Sequence, residues 1–253
     1  MMRVIPTFLT PSGQNPARNL ALCCLLAVGL GGCADGLADR DPLEPLNRDI
    51  HAFNLAVDQF ALRPVASSTT GNGEVAARLS DFAGNLGKPA DVVNNVLQLR
   101  LVKASENVLR FGVNTIFGLG GLFDVASAAG MPENDTDFGE TLHVWGIGEG
   151  AYLEVPFMGP STTRDFAGTL IDMAIDPLNQ LNRDQVRGAA AAKLAARVAD
   201  RGRYSEMVDS ILYESADSYA QARLLYLQNR RHQLGQDSGE DDFVDPYEDP
   251  YAE

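Results

Sequence analysis

The chain has 253 residues, of which 20 are Lys or Arg and 34 are Asp or Glu, for a formal net charge of −14. So acidic a protein lacks the basic face that displaces phosphate counterions, which excludes nucleic-acid binding. It is not drawn to anionic lipid by charge either, so any contact with lipid runs through apolar surface or a covalent anchor.

The chain opens on an export-signal layout. Residues 1–32 carry Arg3 and Arg18 and no acidic residue, and they contain the apolar run LALCCLLAVGL at 20–30. That run suits the apolar region of a signal peptide and is shorter than the roughly 20 residues of a membrane-spanning helix. It ends in Leu30-Gly31-Gly32-Cys33, small residues before a cysteine, as a lipoprotein signal peptidase needs. We expect cleavage after residue 32 and lipid attachment at Cys33, with an ordinary secretory signal as the alternative. Ala34, rather than Asp, follows the cysteine and favours the outer membrane, facing the periplasm. Cys23 and Cys24 leave with the signal, so the mature chain has no disulfide and must fold by burial alone. Loss of Arg3 and Arg18 takes its charge from −14 to −16.

Residues 33–40 read as a polar tether, and 41–235 as one mainly helical domain. Leu43, Leu46, Ile50, Phe53, Val57 and Phe60 alternate spacings of three and four, one stripe of a helix. Asp41-Pro42 is its expected start, with Asp41 as N-cap, and Pro64 its expected stop. The stripe suits core packing or a membrane surface. Gly71-Asn72-Gly73 reads as a loop. Helical patterning resumes near Glu74, breaks at Lys88-Pro89, continues over 90–97, and begins again at Leu101 toward Phe117.

The segment 108–130 is apolar on every face, with Arg110 and Asp124 its only charges. Such a helix is buried in a protein core or in lipid. Gly118, Gly120 and Gly121 divide it into two arms with a flexible joint. Its membrane-inserting candidates are Phe111, Ile116, Phe117, Leu119, Leu122 and Phe123. From 131 to 163 the chain is rich in Gly, Pro and aromatic residues and suggests loops with a small hairpin. Helices are expected over 166–175, 186–201 and 204–233, the last ended by Gly235. The tail, 236–253, has eight acidic residues and no basic one, the composition of a solvated disordered segment.

Catalytic signatures are absent. His51, His143 and His232 are dispersed, no paired cysteines accompany them, and no serine sits in G-x-S-x-G. We expect no metal, no cofactor and no enzyme activity.

Five collinear blocks carry a resemblance: DPLEPLNRDIHAFN at 41–54, DFAGNLGKPADVVNNVLQ at 81–98, RFGVNTIFGLGGLFDVA at 110–126, FGETLHVWGIGEGAYLEVPFMGPSTTRD at 138–165 and SADSYAQARLLYLQNRR at 215–231. In them the chain resembles the MlaA (VacJ) lipoproteins. Glu149 and Ala151 stand where that family often has proline, and Ser218 replaces another. The resemblance implies a ring-like helical domain with a glycine-rich loop or hairpin insertion, embedded in the inner leaflet of the outer membrane. Such proteins often lie beside trimeric porins. The implied activity is removal of misplaced phospholipid from the outer leaflet and its transfer to a periplasmic lipid carrier, which maintains lipid asymmetry. Asn47, Asn54, Arg110, Asn114 and Asp124 are then candidates to line a polar lumen, and the three glycines to form its gate. A structural envelope tether that moves no lipid, or a lipid-modifying enzyme, are the rival readings.

Overall fold

The computed structural model describes residues 41–69 and 73–236; the expected signal peptide, Cys33, the expected tether, the expected Gly71-Asn72 loop and the expected tail from 237 onward lie outside them. Helix α1 (Glu44–Val57) has Leu43 as N-cap and Pro45 in its first turn, rather than starting at Asp41-Pro42. Asp41 instead adopts a left-handed φ of 45° and turns its carboxylate inward, accepting from Asn47 Nδ2 at 3.0 Å and from the Tyr219 hydroxyl. Pro64 does not stop the helix. A π-helical turn (Asp58–Leu62) intervenes, and α2 (Arg63–Thr69) continues the same rod. The wider turn changes the hydrogen-bond register just where the proline lacks a donor.

Helix α3 (Gly73–Leu97) runs without a break through Pro89, which corrects the expected interruption there. An interior proline costs about 3 kcal/mol, but α3 is packed by α4 (Leu101–Ile116) and by α8 (Arg183–Arg203), and this tertiary packing outweighs the local cost. Leu99 turns the chain between α3 and α4 with a left-handed φ of 60°. After α4, a turn over 117–124 leads into the short α5 (Val125–Ala128), capped by Asp124, whose side chain accepts from Ser127 N.

The glycine-rich stretch holds one short helix and one hairpin. Helix α6 (Phe138–Val144) is capped by Asp137, and β1 (Tyr152–Val155) pairs antiparallel with β2 (Gly159–Thr162), Tyr152 opposite Thr162. Thr162 then caps α7 (Thr163–Ile175). A 3-10 turn (Pro177–Gln180) precedes α8, which opens on a capping box made by Asn182 and Gln185. The single helix expected over 204–233 is two, α9 (Ser205–Leu212) and α10 (Ser218–Gln233), because Asp217 supplies a fresh N-cap to Ala220 N. Among the described residues no helix is long and apolar enough to cross a membrane.

Apolar cores are small. One joins Tyr152, Tyr219 and Leu227 between the hairpin and α10; the other joins Phe138, Leu142 and Ala167 between α6 and α7. Elsewhere the usual arrangement is inverted. Eight of the nine largest fully buried side chains are Arg, Asn or Thr, and the ninth is Tyr152. Leu99, Phe60, Ile116 and Phe117 are among the most exposed large apolar residues, from 70 to 85% exposed.

Candidate functional site, a polar interior inside an apolar exterior

The inversion follows from two stripes on each of the first long helices. On α1 and the π turn, Asn47, His51, Asn54 and Asp58 repeat at spacings of four and three and face inward, with only Asn54 half-buried. The apolar stripe carrying Leu46, Phe53 and Phe60 lies on the exposed side. On α4, Asn107, Arg110 and Asn114 are buried while Val108, Leu109 and Ile116 are exposed. On α3, Asn85, Lys88, Asn94 and Asn95 are buried, and Val75, Val96 and Leu97 are exposed. Of these polar stripes, the sequence pointed to Asn47, Asn54, Arg110 and Asn114 as lumen candidates; His51, Asp58, Asn107 and the polar positions of α3 were missed, although the same helical spacing marks them.

All five lumen candidates lie on this inward side, and each is engaged by other protein groups. Asn47 donates to Asp41 and to Tyr152 O (3.1 Å) and accepts from Glu154 N (2.9 Å). Asn54 donates to Val155 O (3.0 Å) and accepts from Phe157 N (2.8 Å). These amides therefore clamp α1 to the hairpin. Arg110 donates to Asp124 at 3.1 Å and to Met131 O at 2.8 Å. Asn114 donates to Asp124 (3.0 Å) and accepts from Ala126 N (2.8 Å), so the trio fastens α4 to α5. Burial works to raise the Asp124 carboxyl, but Ser127, Asn114 and Arg110 outweigh it and hold it below its ordinary range.

That clamp holds the apolar turn outward. Ile116, Phe117, Leu119, Leu122 and Phe123 are exposed, and Phe111 is half-buried. Leu119 is presented from a left-handed backbone of φ 53°, and Phe157 at the hairpin turn is presented likewise, at φ 64°. A leucine or phenylalanine in that region costs about 1–2 kcal/mol. Of the three glycines, two are sites of close approach. A Cβ on Gly118 would lie 2.2 Å from Phe123 O, and one on Gly121 (φ 102°) would lie 2.5 Å from Asn85 Cβ. Gly120 has open space around it.

Several polar clusters escaped the sequence reading altogether. Asp58 takes a bidentate pair from Arg201 (2.8 and 2.9 Å) and a hydroxyl from Tyr213 (2.8 Å). Lys88 is held by Asp91 at 3.3 Å and by Asp135. Burial pushes the Asp91 carboxyl up to about 6. Asp165 accepts from Arg230 (3.1 Å), Arg164 (3.1 Å) and the Tyr226 hydroxyl (2.8 Å), while Arg230 also grips Asp137 at 2.7 and 2.8 Å. Burial opposes ionisation of Asp165, but the two guanidiniums hold its carboxyl below the ordinary range. The buried amide oxygens of Asn85, Asn95, Gln98 and Asn107 accept no hydrogen bond from the described residues. An oxygen left so costs about 1–3 kcal/mol.

The family described as MlaA lipoprotein matches residues 39–233. A protein of Escherichia coli named intermembrane phospholipid transport system lipoprotein MlaA is 35% identical over 244 residues, covering 90% of this chain and 92% of its own length. One of Haemophilus influenzae with the same name is 32% identical over 168 residues, 62% of this chain and 67% of its own. A Rickettsia bellii protein is 36% identical over 186 residues, 72% of each chain. A solved structure described as the structural basis for maintenance of bacterial outer membrane lipid asymmetry superposes with a TM-score of 0.63 at 30% identity. It covers 77% of this chain and 98% of the other.

Proposed function

Because this chain belongs to the MlaA lipoprotein family, we propose that it works in intermembrane phospholipid transport, withdrawing misplaced phospholipid from the outer leaflet of the outer membrane and passing it to a periplasmic carrier. The observation that carries this reading is the inversion of the fold, with polar stripes inward and apolar stripes outward on α1, α3 and α4. A phospholipid changes leaflet slowly because its charged headgroup must enter hydrocarbon, and an unpaired charge there is prohibitively costly. A helical ring whose outside is apolar and whose lumen is polar removes that barrier without covalent chemistry.

In this proposal Cys33 carries the lipid anchor and holds the protein on the periplasmic leaflet. Ile116, Phe117, Leu119, Leu122 and Phe123 dip into hydrocarbon, and the clamp of Arg110, Asn114 and Asp124 keeps them there. Gate movement at these glycines has to break the close packing of Gly118 and Gly121 and the hydrogen bonds that hold Gly120 to Thr115 O (3.0 Å) and Asn85 Nδ2 (3.2 Å). Trimeric porin is the proposed lateral partner.

The test measures phospholipid in the outer leaflet of cells with and without the gene, for example by labelling with a membrane-impermeant amine reagent. Deletion is expected to raise outer-leaflet phospholipid, and the wild-type gene to restore it, whereas Cys33→Ala does not. Unchanged outer-leaflet lipid on deletion overturns the proposal. A tether that moves no lipid would copurify without intact phospholipid, and a lipid-modifying enzyme would release lysolipid or fatty acid.

A further inference from the structure

A cavity of about 400 Å³ opens between α4, α6 and α10, within the size range of small-ligand sites. Its charged walls are Lys103, Arg230, Glu133, Asp135, Asp137 and Glu140. The walls thus bring both signs of charge into one cavity.

The charges differ in how far they are already committed. Arg230 is saturated by Asp137 and Asp165. Asp135 is taken by Lys88, and Glu140 by Arg100 and the Thr136 hydroxyl. The exposed Lys103 side chain makes no ion pair among the described residues. Glu133 is 59% exposed and reaches cations only at 3.7 Å (Lys88) and 3.9 Å (Arg110). Both of those cations hold nearer partners, Asp91 at 3.3 Å and Asp124 at 3.1 Å. One uncommitted ammonium and one loosely held carboxylate thus share a single cavity.

We propose that this cavity binds a zwitterionic phosphoamine, the phosphate against Lys103 and the primary ammonium against Glu133. The inference rests on the lipid-transport reading above and assigns it a headgroup class, phosphoethanolamine in preference to phosphoglycerol. An anionic headgroup brings no ammonium to offset Glu133. Free phosphoethanolamine shares the recognised chemistry, so soluble and lipid forms are tested side by side.

The full lipidated protein in detergent is titrated calorimetrically with dihexanoyl phosphatidylethanolamine, dihexanoyl phosphatidylglycerol and free phosphoethanolamine. The ethanolamine lipid is expected to bind about tenfold more tightly than the glycerol lipid. Glu133→Gln should weaken the ethanolamine lipid about fivefold, an ion pair of about 1 kcal/mol, and leave the glycerol lipid within about twofold. Lys103→Met should weaken both lipids. Both side chains are exposed, and unchanged thermal unfolding checks that each variant is folded. Binding of free phosphoethanolamine alone would support the site chemistry and assign it to a soluble ligand. Equal affinity for the two lipids, or equal weakening of both by Glu133→Gln, overturns the proposal. If phospholipid nonetheless copurifies intact with the protein, the transport reading stands; if none copurifies, that reading fails too.

Discussion

Ile116, Phe117 and Leu119 are 72, 70 and 68% exposed, and their replacement separates a membrane-facing role from a core role. Burying a side chain of this size is worth about 1.5–3 kcal/mol. With roughly two-thirds of each available for insertion, the three together contribute about 4 kcal/mol of membrane affinity, close to a thousandfold in partitioning. The triple variant Ile116→Ser, Phe117→Ser and Leu119→Asn removes this while placing asparagine, which tolerates the left-handed backbone, at φ 53°. It is made in a Cys33→Ala background so that the anchor does not mask the effect. Vesicle co-sedimentation is expected to fall by two to three orders of magnitude, roughly as that energy dictates. Unfolding free energy in detergent should change by less than about 1 kcal/mol, because surface positions away from buried features change stability little. A large loss of stability with unaltered vesicle binding would show that these side chains pack against protein, and would refute the reasoning.

Removing the acceptor at Asp124 should do the opposite. Asp124→Ala leaves the Arg110 guanidinium, 1% exposed, without its carboxylate, and a loss of about 3–5 kcal/mol is expected in denaturant titration. Gly121→Ala forces a Cβ to 2.5 Å from Asn85 Cβ at a φ of 102°, and should cost about 3 kcal/mol by the same measurement, whereas Gly120→Ala meets open space and carries only the backbone strain of a φ of 80°, about 1–2 kcal/mol. Burial raises the folded Asp91 carboxyl from 3.8 to about 6, so its folded state favours the protonated form. Stability from this group is full below about pH 4 and is lost as pH rises through about 6. Asp91→Asn should therefore stabilise the protein by about 1–3 kcal/mol at pH 7.5 and give no gain below pH 4, as read by thermal unfolding across pH.

Much of the helical framework was legible because the period of apolar residues is strong. The helices at α4, α7 and α8 were read within a few residues of their ends. Breaks were less legible. Pro89 and Pro64 read as stops, yet α3 passes through one and a π turn carries the chain past the other, since packing partners on remote segments decide such cases. The opposite error came at 213–217, where Asp217 caps a new helix that side-chain periodicity alone ran together with its predecessor.

The site was harder still. Periodicity reveals that a helix has two faces and not which one meets protein. The polar stripe of Asn107, Arg110 and Asn114 is inward because Asp124, Met131 and Ala126 supply its hydrogen bonds, and those partners arrive from other segments. Arg230 finds Asp137 and Asp165 from 93 and 65 residues away, a convergence with no local signature.

The outward side chains at Leu99, Leu119 and Phe157 stand on rigid, left-handed corners. In the proposed membrane-embedded protein these side chains rest in lipid, and detergent, lipid or an escort must cover them once it leaves the bilayer. On that proposal, stickiness in plain buffer belongs to the correctly folded protein.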